Sequence, residues 1–204
     1  LAREPEHDGS DRPLSIALRQ NCADEHNSLE SMIGGADQPM SVKTYISVLL
    51  MFRALHYASD EWREQFAAEC HRHRLPQQKT GLVDLIDLDL ETLDACMASP
   101  RIVPISGYQD REFSFILGGL YVVMGSALGN ALMLRQIHLS PDTAQTSATR
   151  FLSATAKSGG PTFQAFRLCL DAFGMAAPLS RDAVIAGARS TFNACGMILA
   201  GRAA

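Results

Sequence analysis

Residues 113–134 read FSFILGGLYVVMGSALGNALML, a stretch with no charged side chain. It is long enough to cross a bilayer as a helix. Ser126 and Asn130 interrupt its apolar character, Asp110 and Glu112 stand just before it, and no second segment of this kind exists. The expectation is therefore a core helix, not a membrane span. Its glycines are harder to explain. Gly118, Gly119, Gly125 and Gly129 lie inside it, and each costs about 1 kcal/mol relative to alanine in a helix interior. On a helix, Gly118, Gly125 and Gly129 share one face, with Ser126 and Asn130 beside them. This strip, nearly bare of side chains, has two readings. One is close packing of another helix on small residues. The other is a flat ligand lying against the backbone, with the glycines also letting the helix bend.

On both sides of this stretch, apolar residues recur every three or four positions and no segment shows strand alternation bounded by hairpin turns, so the chain reads as all-α. A first helix is expected from Pro13 to Ile33, stopped by Gly34 and Gly35. A second opens at Ser41 and carries Tyr45, Leu49, Phe52 and His56 on one face to about Ser59. Asp60 is expected to cap a third, which buries Phe66 and Cys70 and ends before Pro76. In GLVDLIDLDLETLDACM, Asp89 suggests a break and a new N-cap, giving two short helices. The long helix is expected over 110–139. Ser140 and Pro141 then read as the start of another helix. Ser158–Pro161 reads as a loop, followed by a helix with Phe163, Phe166, Leu170 and Phe173 and a last one capped by Ser180.

The 204 residues suit one domain that buries roughly 70% of its unfolded surface. Residues 1–12 are polar and charged and read as a flexible arm, leaving 13–204 as the helical domain. The net charge of −4 offers no basic surplus for nucleic acid or anionic lipid. Five scattered cysteines, Cys22, Cys70, Cys96, Cys169 and Cys195, form no CxxC pair. That speaks against a disulfide framework or a zinc site and for a reducing, cytoplasmic setting. Cys70, His71 and His73 lack a complementary second pair for a metal, and their basic neighbours suit a helix C-terminus. Asp87, Asp89 and Glu91 lack the glycine and distal glutamate of a calcium loop and read as a solvated acidic face.

On the first helix, Leu18, Cys22, His26, Leu29 and Ile33 line up at spacings of four, four, three and four, placing His26 on the buried stripe. A lone histidine there is most often a hydrogen-bonded core residue. The alternative is an axial ligand to haem iron, since neutral imidazole fills that role in apolar pockets.

Two motifs then carry a resemblance. LRQNCADEHNSLE, residues 18–30, resembles the proximal-helix signature of haem oxygenases, with Leu18, Arg19, His26 and Glu30 at matching intervals. LGGLYVVMGSALGNALM, residues 117–133, resembles the distal helix of the bacterial members, particularly those that supply biliverdin to bacteriophytochromes. The order and separation of the two fit the family, and the resemblance extends over about 13–200. It implies an all-α, single-domain bundle of the haem oxygenase-like fold. It also implies an enzyme that opens haem b to biliverdin, with release of carbon monoxide and ferrous iron and with electrons from a ferredoxin or a reductase. His26 would be the iron's proximal ligand and Glu30 would help orient its ring. Gly125 and Gly129 would press the distal backbone over the iron, and Ser126 would anchor the water chain that delivers protons. Arg19 and Arg167 would face the propionates, and Tyr121 matches a tyrosine of the family's distal helix, where it would line the haem site or serve as a core aromatic.

Departures exist. Ser126 stands where mammalian-type members carry aspartate, Asn130 replaces the second glycine, Met124 replaces a frequent glutamate and Cys22 a frequent threonine. The rival readings are a haem carrier or sensor on the same fold, and a helical scaffold without haem in which the glycines only pack helices.

Overall fold

The computed structural model describes residues 12–34, 38–93, 105, 108, 111–141, 143 and 146–201, and every regular element among them is helical. The expected arm, residues 1–11 of it at least, lies outside the described residues. In chain order the helices are α1 (Leu14–Asn21), α2 (Ala23–Ile33), α3 (Val42–Gln65), α4 (Ala67–Arg72), α5 (Leu82–Thr92), α6 (Phe113–Ser126), α7 (Asn130–Leu139), α8 (Arg150–Ala156), α9 (Gly159–Ala176) and α10 (Arg181–Leu199).

The charge-free stretch forms the centre. Nine residues of α6 are buried, from Ser114 to Met124, against α3, α9 and above all α10. By length and composition 113–139 could span a bilayer; neighbouring helices bury most of α6, while Leu128, Leu132 and Leu139 further along are exposed. Two glycines make the closest approach possible. A Cβ on Gly118 would fall 1.9 Å from the Val184 carbonyl oxygen, and one on Gly187 would fall 1.9 Å from that of Phe115. Each helix thus lays its backbone against the other at a glycine, and a side chain at either position would force them apart.

Several helix boundaries differ from the expectations. The first helix breaks at Cys22 (φ −108°, ψ 11°) into α1 and α2. Ser41 does cap α3, its hydroxyl accepting from the Thr44 amide at 3.1 Å. Asp60 does not start a helix; α3 runs through it to Gln65 because Trp62 still has a buried place to fill. The break comes at Phe66 instead (φ −112°, ψ 35°). The helix expected from Pro141 starts only at Arg150. The expected loop at 158–161 contributes its glycines and proline to the first turn of α9. There Gly159 packs so closely on Ala127 that a Cβ would meet its carbonyl oxygen at 2.8 Å.

Asp89 is a cap, though for another helix. It lies inside a single α5, fully buried, and accepts from the Arg150 and Phe151 amides at 3.0 Å each. Those are the orphan donors of the α8 N-terminus. Asp171 on α9 does the same for α1, accepting from the Ser15 amide at 2.7 Å and its hydroxyl at 3.0 Å. The expected solvated acidic face is corrected accordingly: Asp89 is buried and Asp87 pairs with the buried Arg53 at 2.5 Å.

Candidate functional site

The α1–α2 pair approaches the α6–α7 pair at two places. At one, Tyr121 of α6 is within electrostatic reach of Cys22, Arg19 and Arg167. At the other, Gln136 Nε2 of α7 donates to the Gly34 carbonyl at 3.3 Å. The eleven residues of α2 lie between these places on one side, roughly 16 Å of helix. His26 and Glu30 stand on α2, and Gly125, Ser126 and Gly129 at the end of α6 and in the turn that follows it.

The glycine-bearing helix is not uniform. Ala127–Gly129 forms a 3-10 turn between α6 and α7, so the α-helical pattern is interrupted within GSALG, where the glycines lower the cost. The glycine strip also divides in two. Gly118 is filled by α10, and Gly119 by Trp62, whose ring would lie 2.8 Å from an added Cβ. These two follow the helix-packing reading. Gly125 and Gly129 do not. An added Cβ would make ordinary contacts only, 3.4 Å from the Phe163 ring and 3.5 Å from Met133 Cε respectively. Internal packing does not demand glycine at either place.

His26 is not on a buried stripe. Its side chain is 53% exposed and its ring meets Phe192 of α10 edge-on, centroids 5.7 Å apart. The reason is the break at Cys22. Leu18 and Cys22 are buried against the core, whereas α2 has no fully buried residue and lies on α10 through Glu25, which pairs with Arg189 at 2.5 Å. Burial works against that carboxylate, but the Arg189 hydrogen bond, a backbone hydrogen bond and the arginine's charge together outweigh it and hold the Glu25 pKa below its usual value. Beside the pair, α2 and α10 enclose a groove of about 270 Å³ lined by Glu25, Leu29, Met32, Phe192 and Gly196 among others. Its lining includes nothing from 113–139. Glu30 stands 3.8 Å from His26 Nδ1, a loose pair beyond hydrogen-bond distance.

Three of the expected residues come together. Burial, helped by Cys22, raises the Tyr121 phenol, while the positive charges of Arg167 and Arg19 oppose that rise. Both arginines are exposed, and among the described residues neither pairs with a carboxylate. Tyr121 packs on Phe163, centroids 5.6 Å apart, so these groups lie along the same wall as Gly125. Ser126 donates its hydroxyl proton to the Val123 carbonyl at 2.7 Å, which leaves its oxygen as an acceptor. Met124 is buried, with Arg63 Nη2 at 3.5 Å from its sulfur.

Two residues gain importance that their spacing did not give them. Asn130, 1% exposed, donates from Nδ2 to Thr155 Oγ1 at 2.6 Å, while its Oδ1 is buried with no partner. His56, 4% exposed, stacks with Phe52, meets Phe151 edge-on and bonds through Nδ1 to Gln78, while its Nε2 is buried with no partner. The sequence showed His56 on an apolar face and Asn130 as a departure from a motif. Neither signal distinguishes a satisfied polar atom from a bare one. His73, by contrast, is used in packing, stacked on Phe113 and edge-on to Phe173.

Comparison with family models, with curated proteins and with solved structures finds no match to this chain.

Proposed function

We propose that the protein is a haem oxygenase that holds haem in the interval between α2 and the Ala127–Gly129 turn. The observation that supports this reading is a surface-accessible histidine on α2 together with a side-chain-poor backbone at the Ala127–Gly129 turn, in two helix pairs tied to each other by the Gln136–Gly34 hydrogen bond. Gly125 and Gly129 support it because this chain's own packing leaves them unexplained, whereas it fully accounts for Gly118 and Gly119. The residues present fit the group. One imidazole suffices for haem iron, glycine at 125 and 129 would leave a side-chain-free cradle, and the exposed Arg19 and Arg167 guanidinium groups suit two propionates.

Each side chain has a definable task. With Nδ1 turned toward Glu30, His26 directs Nε2 away from that carboxylate as the ligating nitrogen. Phe192 limits the ring's rotation by its edge contact. Arg19 and Arg167, beside Tyr121, fix which edge of the porphyrin faces solvent. Gly125 and Gly129 let the distal backbone approach, and the Ser126 oxygen accepts a hydrogen bond from a proton-carrying water. Haem, substrate and cofactor together, supplies the iron that activates oxygen, and an external ferredoxin or reductase supplies the electrons for opening to biliverdin. A bacteriophytochrome is the proposed recipient of biliverdin, and a cytoplasmic setting goes with that role.

The test is direct. One equivalent of haemin is added to the purified protein and to His26→Ala, and visible spectra are recorded before and after ascorbate or a ferredoxin system is supplied in air. The expected result is a histidine-ligated band that requires His26 and decays to biliverdin. A band that persists under reduction would assign a carrier, and no band in the parent protein would remove haem altogether.

A further inference from the structure

The two bare interior atoms are chemically complementary. Ser59 Oγ donates to Gln78 Oε1 at 2.9 Å, which turns the Gln78 amide nitrogen toward His56 and makes it the donor to Nδ1. An accepting Nδ1 puts the neutral ring's proton on Nε2. His56 Nε2–H is therefore a buried donor lacking an acceptor, and Asn130 Oδ1 a buried acceptor lacking a donor. Both lie against one face of α8. Phe151 packs on His56, and Thr155, one turn further along, holds Asn130. Either group left unsatisfied would cost about 1–3 kcal/mol.

We propose that His56 and Asn130 are positioning residues at the two ends of one buried polar seam, closed by an interior water, that runs along α8 to the Ala127–Gly129 turn. Such a water has the polar partners it needs at both ends. Thr155 fixes the orientation of the Asn130 amide and Gln78 fixes the tautomer of His56, so the seam has a defined direction, donor at His56 and acceptor at Asn130. Asn130 directly follows Gly129, so the seam ends beneath the backbone against which haem is proposed to lie. It would supply a fixed hydrogen-bonding group there, in addition to Ser126. This last role rests on the haem reading; the seam itself does not.

The ligand-free protein, labelled with 15N at histidine, tests the seam by long-range proton–nitrogen correlation. The expected result is a single Nε2–H tautomer for His56 whose Nε2 resonance shifts in Asn130→Leu and in the near-isosteric Thr155→Val, with the His26 resonances unmoved. Gln78→Leu is expected to convert it to a mixture of tautomers. An Nδ1–H tautomer, or a His56 signal indifferent to Thr155→Val in a folded variant, would overturn the seam. In the haemin-loaded protein, Thr155→Val is expected to shift by ~0.5 pH unit the point at which the visible spectrum changes with pH. An unmoved spectrum with a shifted His56 signal would overturn only the role at the turn. Failure of haemin to bind would count against the haem reading and leave the tautomer result to decide the seam.

Discussion

His56 gives the protein a specific sensitivity to acid. Burial among Phe52 and Phe151 lowers its pKa to about 4, against 6.5 for an exposed histidine. The unfolded chain therefore binds this proton more readily than the folded one. The stabilising contribution is complete above pH 6.5, declines as pH falls through the interval to about 4, and is constant below it. Its size is about 2 kcal/mol by pH 5 and about 3 kcal/mol at the lower limit. Urea unfolding at pH 7 and pH 5 measures it: the parent protein is expected to lose about 2 kcal/mol more than His56→Phe over that interval. Equal losses would show that His56 titrates normally. None of this was legible from spacing. The periodicity of Leu49, Phe52 and His56 gave the face, but burial depth depends on α8, which comes nearly a hundred residues later.

At the scale of the element, the glycines show what a helical pattern can and cannot convey. Four of them in one apolar stretch implied close approach. The stretch could not say which faced a neighbouring helix and which did not. Gly118→Ala would drive a methyl into the Val184 carbonyl and is expected to cost about 1–3 kcal/mol or more. Gly129→Ala meets only the flexible end of Met133 and gains helix propensity, so it is expected to leave stability equal or raised by up to ~1 kcal/mol while weakening haemin binding. Thermal melts and haemin titrations of the two variants separate these effects, and a strongly destabilised Gly129→Ala would remove its proposed role as a cradle. Asp89 teaches the same lesson in charge. A carboxylate within an apolar helical run was rightly read as capping chemistry, but the helix it caps is α8, because capping depends on proximity in space and the sequence shows only proximity in chain. His26 was misplaced for a related reason. Its spacing assumes an unbroken helix, and the break at Cys22 turns α2 from the core onto α10.

For the molecule as a whole, the all-helical class and most helix positions could be read from periodicity because each depends on neighbours within a few residues. What could not be read depends on docking. This includes the break at Phe66, the late start of α8 and the groove between α2 and α10. Docking also makes ligand binding and stability one measurement. If haem binds only the folded state, haemin at a hundred times its dissociation constant adds about 2.7 kcal/mol. For a chain of this length that raises the melting temperature by roughly 5–10 °C. The rise is expected to be absent in His26→Ala, and an equal rise in both proteins would point to adventitious haem on the surface.

The capping carboxylate of α1 has a consequence for how the molecule is made. Asp171 is 156 positions beyond the Ser15 amide it receives, and α1, with only eight residues, is too short to persist by itself. During synthesis from the N-terminus, α8 emerges after the Asp89 that caps it, but α1 must wait for a partner in the last third of the chain. The helix leading into His26 can therefore be completed only when α9 has left the ribosome. A nascent chain that has not yet reached α9 would have the histidine but not the support that places it, so any role of His26 waits for a helix made long after it.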